Sequence, residues 1–90
     1  MAKIVKSASA GTLESSDVFV EIDPCESGIE IKLESVVLGQ FGDVIRGVIE
    51  ETLAQQGVTA AHLCVRDRGA LDCVIRARVE TAVMRGKEDA

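Results

Sequence analysis

A change of hydrophobic period near the middle of the chain restricts its fold more than any other feature. Val18, Val20 and Ile22 alternate with Phe19 and Glu21. After the interruption Pro24-Cys25-Glu26-Ser27-Gly28, Ile29, Ile31 and Leu33 alternate with Glu30, Lys32 and Glu34. Period 2 predicts two strands joined by a turn. From Phe41 onward the spacing becomes three and four, through Val44, Ile45, Val48, Ile49 and Leu53, which predicts an amphipathic helix. Gly57 follows Gln55 and Gln56, where a left-handed helix cap favours glycine. Ala61, Leu63 and Val65 then mark one side of a third strand, with His62, Cys64 and Arg66 on the other. Leu71, Val74, Ile75, Val79, Ala82 and Val83 form the stripe of a second helix over residues 70–84.

The order strand, strand, helix, strand, helix, preceded by a short edge strand around residues 3–9, predicts an α+β fold. Alternating strands bury one face only, so both helices belong on that face. The expected architecture is a two-layer sandwich, with a small mixed or antiparallel sheet of three to four strands under two helices. Ninety residues fit one domain. Residues 1–17, rich in Ser, Ala and Gly, read as an N-terminal arm or edge strand, residues 18–86 as the α+β body and residues 87–90 as a tail that frays.

Charge and composition narrow the function. A net charge of −5 without Trp or Tyr argues against nucleic-acid binding. No apolar run is long enough to span a bilayer and no secretory signal opens the chain, so a cytoplasmic setting is expected. Three scattered cysteines, Cys25, Cys64 and Cys73, fit free thiols in a reducing compartment. The positive charge is concentrated late: Arg66, Arg68, Arg76, Arg78 and Arg85 either form an anion-facing surface there or simply lie on solvated faces.

The inventory for catalysis is thin. His62 is the one histidine, and two places along a strand from Cys64 it lines a surface rather than converging on a nucleophile. No Cys-x-x-Cys pair points to zinc, and Gly39, Gly42 and Gly47 do not spell a phosphate loop. The serine cluster in Ala10-Gly11-Thr12-Leu13-Glu14-Ser15-Ser16-Asp17 remains, a small-residue segment that keeps a hydroxyl accessible. Such a segment suits a modification site, although a Ser-Ser-Asp turn is more often only a turn.

These residues resemble the acyl carrier proteins (gamma chains) of citrate lyase. The similarity lies in Ala10-Gly11-Thr12-Leu13-Glu14-Ser15, Asp17-Val18, Gln40-Phe41-Gly42-Asp43 with Ile45-Arg46, and Gly69-Ala70-Leu71-Asp72-Cys73 with Arg76-Ala77-Arg78. It runs in order through nearly the whole chain. The resemblance implies a non-catalytic subunit whose Ser15 carries phosphoribosyl dephospho-coenzyme A through a phosphodiester. It implies that a transferase attaches this group, and that acetyl and citryl thioesters on it are presented to alpha and beta chains converting citrate to acetate and oxaloacetate. Ser16 stands where many such relatives are expected to have glycine. Rival readings are the acyl-carrier subunit of malonate decarboxylase, an unmodified α+β interaction module using Phe19, His62 and Cys64, and a phosphopantetheine carrier modified within Glu34-Ser35-Val36. The last conflicts with the strand periodicity, because those carriers are helical bundles.

Overall fold

The computed structural model describes residues 2–87, so the expected tail lies outside the described residues apart from Lys87. The elements are β1 (Ala8–Gly11), β2 (Val18–Asp23), β3 (Gly28–Ser35), α1 (Leu38–Gln55), β4 (Ala60–Asp67) and α2 (Asp72–Gly86). The four strands form one mixed sheet in the order β1-β2-β4-β3, with β3 and β4 parallel and the other pairs antiparallel. The two strands read from the first alternation are therefore not neighbours, because β4 inserts between them. A parallel β3–β4 pair needs a crossover, and α1 supplies it.

The alternation places Val18, Val20 and Ile22 of β2 with Ala61, Leu63 and Val65 of β4 on the covered face, where they meet Ile45, Val48, Ile49 and Leu53 of α1 and Ile75, Val79, Ala82 and Val83 of α2. The opposite face carries Phe19, Glu21, His62, Cys64 and Arg66. The two-layer α+β sandwich is thus the observed architecture. The edge strand starts later than residues 3–9 would place it, because Ile4 instead enters the core at 5% exposure and pairs as an isolated bridge with Lys87. Val5 and Lys6 donate backbone N–H groups to the Gly86 carbonyl, tying the start of the chain to the end of α2.

α1 ends as its sequence requires. Gly57 has φ +74, its N–H donates to the Ala54 carbonyl, and the Val58 N–H donates to the Leu53 carbonyl. This is a Schellman cap, and Val58 and Leu53, both buried, make its apolar contact. Both sheet edges are covered by an arginine donor, Arg46 to the Ile31 carbonyl on β3 and Arg85 to the Ser9 carbonyl on β1, each at 2.9 Å. Occupying an edge carbonyl disfavours strand addition by another molecule.

The start of α1 departs from the periodic reading. Phe41 and Val44 are 49% and 53% exposed, so the buried stripe begins only at Ile45. The apolar side chains of the first turns, Leu38 among them at 48% exposure, are left in solvent. Phe41→Ser is accordingly expected to shift stability by less than about 1 kcal/mol, whereas Ile49→Ala, at a fully buried site, costs about 2–5 kcal/mol. Urea denaturation of both variants checks this, and equal losses would contradict it.

Candidate functional site

Ser15 lies in the loop between β1 and β2, at the end of the sheet where β3 and β4 finish and both helices begin. Local backbone chemistry builds that loop. The Asp17 N–H donates to the Glu14 carbonyl at 3.1 Å, closing a β-turn with Ser15 and Ser16 at its two central positions. Ser16 has φ +65, the left-handed value that the second central position of a type II turn requires. The Ser16 N–H also donates to the Arg68 carbonyl, and the Arg68 N–H to the Asp17 carbonyl, both at 2.9 Å. Two residues thus oppose one on β4's extension, a G1 bulge whose left-handed position is Ser16. Ser15 consequently occupies the outer corner of the turn, exposed, and its hydroxyl has no hydrogen-bond partner among the described residues.

Both turn and bulge favour glycine at residue 16, which supplies a backbone reason for the glycine expected there in relatives. Ser16→Gly removes a left-handed penalty of about 1–2 kcal/mol and loses about 0.4–1 kcal/mol to the freer unfolded chain. A net gain of about 0.5–1 kcal/mol, or a melting temperature higher by about 2–8 °C, is expected. A lower melting point in calorimetry would refute this account of the turn.

Asp17 fixes the loop to the body. Its carboxylate accepts the Thr12 hydroxyl at 2.6 Å, the Val18 N–H at 2.8 Å and a two-pronged contact from Arg78 of α2, Nε at 3.1 Å and Nη2 at 3.0 Å. Thr12 in turn accepts the Glu14 N–H at 3.2 Å. These donors, the Thr12 hydroxyl foremost and then Arg78, lower the Asp17 pKa from 3.8 to about 2. A depressed carboxylate stabilises the fold fully above its unfolded pKa, and that contribution is lost as pH falls from near 3.8 through about 2. Arg78→Leu should raise the Asp17 pKa toward 3.8 without reaching it, since Thr12 and the Val18 N–H still donate. An NMR titration of the Asp17 carboxyl measures this, and an unmoved midpoint would remove Arg78 from the clamp.

The other candidate residues are dispersed. His62 lies at the far end of β4, opposite Asp23 and Glu30, about 17 Å along the strand from Asp67 at the Ser15 end. Cys64 faces Glu21 and Lys32, and no group of three metal-ligating side chains occurs among the described residues. The three cysteines are unpaired. Ser35, the serine of the phosphopantetheine rival, is half-buried and occupied: its hydroxyl donates to buried Asp67 at 2.7 Å and accepts the Val37 N–H at 3.1 Å. The strands themselves exclude a helical bundle.

The late arginines divide. Arg78 holds Asp17, Arg76 pairs with Glu51 at 3.8 Å, Arg85 donates to the Ser9 carbonyl, and Arg66 reaches Glu34 at 3.6 Å. The sequence offered Arg78 as part of an anion-facing surface, and the structure instead gives it a carboxylate partner. Its separation from Asp17 by most of the chain hid that pairing from the sequence.

No helix among the described residues is long and apolar enough to cross a membrane. A model of the family described as malonate decarboxylase delta subunit (MdcD) matches residues 5–86. A citrate lyase acyl carrier protein of Escherichia fergusonii is 59% identical over 87 residues, covering 96% of this chain and 90% of that protein. Citrate lyase acyl carrier protein 2 of Salmonella typhimurium is 54% identical, with coverage of 96% and 90%. The citrate lyase acyl carrier protein of Haemophilus influenzae (strain PittEE) is 52% identical, with coverage of 97% and 90%. Among solved structures, a chain in the crystal structure of a Pseudomonas malonate decarboxylase hetero-tetramer in complex with malonate superposes with a TM-score of 0.78 at 23% identity, covering 89% of this chain and 82% of that one. This last likeness concerns the fold.

Proposed function

This chain belongs to the family of citrate lyase acyl carrier proteins, and from that premise we propose that Ser15 is the anchor of a covalent phosphoribosyl dephospho-coenzyme A arm. Acyl carrier protein is the name of a non-catalytic subunit, so the chemistry of the complex belongs to other chains. The observation that carries the reading is the position of Ser15, exposed at the outer corner of a turn whose two flanks are braced to the body through Gly11, Asp17, Arg78 and Arg68.

The residues fit such a group. A phosphodiester to serine needs a hydroxyl that an attaching enzyme can enclose without unfolding the carrier, and the corner of a clamped turn offers one. When bound, the group supplies a thiol that carries acyl units as thioesters. The chain's own task is to hold the anchor at fixed register while the arm moves between catalytic sites, so that the tethered acyl group meets each at high effective concentration. Thr12 and Arg78 hold the Asp17 carboxylate against the body, which keeps the turn closed. Those sites would be the alpha and beta chains of citrate lyase, in a cytoplasmic hetero-oligomer.

The malonate decarboxylase assignment draws on the family model and on the shared fold, but identities of 52–59% to citrate lyase carriers against 23% to the malonate decarboxylase chain favour citrate lyase. Intact-mass measurement of the chain from its native host, followed by peptide mapping, tests the proposal. A coenzyme-sized addition on the peptide holding Ser15 is expected. An unmodified chain within an active lyase complex would defeat it.

A further inference from the structure

We propose that Arg68, seconded by Arg66, holds the phosphate groups at the anchored end of the arm in the shallow cleft beside Ser15; this inference rests on the carrier reading above. The cleft, about 200 Å³, is lined by Glu34, Ser35, Val36, Arg66, Asp67 and Arg68. It opens where β3 and β4 end, and the Ser15 turn is bonded to its wall: the Ser16 N–H and the Asp17 carbonyl both engage the Arg68 backbone at 2.9 Å. Arg68 is therefore the cross-strand neighbour of the turn, and opposed residues in an antiparallel pair stand only about 4.5–5.5 Å apart at Cα.

The choice of Arg68 follows from what its neighbours already do. Arg78, Arg76, Arg85 and Arg46 each have a carboxylate or carbonyl partner. Arg68 is exposed, and its guanidinium has neither a hydrogen bond nor an ion pair among the described residues. Its backbone does the structural work of the bulge, so the side chain is left to a ligand. Arg66 lies two residues earlier, near the end of β4, about 7 Å back along the chain. Its contact with Glu34 is long, 3.6 Å, between side chains 50% and 66% exposed. Such a pair is weak, and a phosphate can replace the carboxylate.

The remaining acid in the cleft does not oppose this. Asp67 is 2% exposed, and its oxygens are already occupied by the Ser35 hydroxyl and the Ala70 N–H. A guanidinium presents its donors in a plane that matches phosphate oxygens two at a time, which lysine does not. Residues 66–68 thus place two cations beside an anchor whose proposed ligand begins with a phosphodiester and continues to a diphosphate. The consequence is an arm whose nucleotide end rests on the carrier while its thiol end stays free to swing.

The test is phosphorus NMR of the intact loaded chain, wild type against Arg68→Gln, with Arg76→Gln as a control of equal charge change. In wild type, at least one arm resonance should be shifted relative to the same arm on the chain unfolded in urea. It should return toward the unfolded position in Arg68→Gln and on raising salt to about 1 M, where the screening length falls to about 3 Å, but not in Arg76→Gln. Unchanged melting temperatures would show that the exposed substitutions leave the fold intact. A loaded chain whose phosphorus lines ignore Arg68 overturns the assignment and leaves the carrier reading standing. A native chain bearing no phosphorus overturns both.

Discussion

A Ser15→Ala chain is expected to melt within about 0.5 kcal/mol of wild type and yet to carry no covalent addition and support no citrate cleavage in the assembled complex. The two halves of this expectation have separate causes. Stability is unaffected because the Ser15 side chain is exposed and makes no hydrogen bond among the described residues, while alanine accepts the negative φ of the first central position of the turn. Loading is lost because the neighbouring hydroxyl cannot substitute. Ser16 sits at the second central position, with φ +65 and its N–H engaged by Arg68, so its side chain leaves the backbone in a different direction. Ser16→Ala should therefore remain loaded, and Ser16→Gly should be loaded and more stable. Intact mass of the three variants, expressed with the attaching enzyme, decides the matter. A residual addition on Ser15→Ala that disappears with Ser16→Ala would move the anchor by one residue.

The fold was legible wherever one residue's neighbours along the chain are also its environment. Alternation in Val18–Asp23 and Ala60–Asp67 yields strands with one buried face, and the Gly57 cap follows from its place after Gln56. Sheet order was not legible, because period 2 says which side of a strand is buried but not which strand lies beside it. Phe41 and Val44 misled for a related reason. Helical spacing identifies a stripe, and only the tertiary packing around the helix determines where along it that stripe is covered.

The site divides in the same way. Ser15 was singled out through a motif, and its own surroundings do not mark it, since its hydroxyl has no hydrogen-bond partner among the described residues. What the motif residues do became visible only in three dimensions. Thr12 and Asp17 are a hydrogen-bonded pair, Asp17 and Arg78 join parts of the chain far apart in sequence, and residue 16 supplies a left-handed backbone. A short run of small and polar residues thus encodes a turn whose geometry depends on an arginine from the last helix. That dependence predicts that an isolated peptide with the same serine would not hold this turn.

Gly11 tests that geometry most severely, because theory offers two opposed expectations for Gly11→Ala. In the unfolded chain alanine has fewer conformations than glycine, which by itself would stabilise the protein by about 0.4–1 kcal/mol. In the folded chain residue 11 has φ +95, and a Cβ there would lie 1.8 Å from the Val18 carbonyl oxygen. The obstacle is backbone, not a flexible side-chain tip. Val18 begins β2 with 0% exposure, so its carbonyl cannot withdraw without disturbing the core, and the pairing of Gly11 with Phe19 leaves β1 little room to shift. The same Cβ would approach the Arg78 Cδ to 3.3 Å, pressing on the side chain that holds Asp17. Steric displacement should dominate, with a loss of about 3 kcal/mol or more and a melting temperature lower by about 12–24 °C. The two effects also separate in the readout. If the collision is local to the clamp, the Asp17 midpoint will rise from about 2 toward 3.8 in whatever fraction still folds. A Gly11→Ala chain that melts at or above wild type would mean that β1 meets β2 differently from the arrangement described, and the position of Ser15 at the turn's outer corner would fall with it.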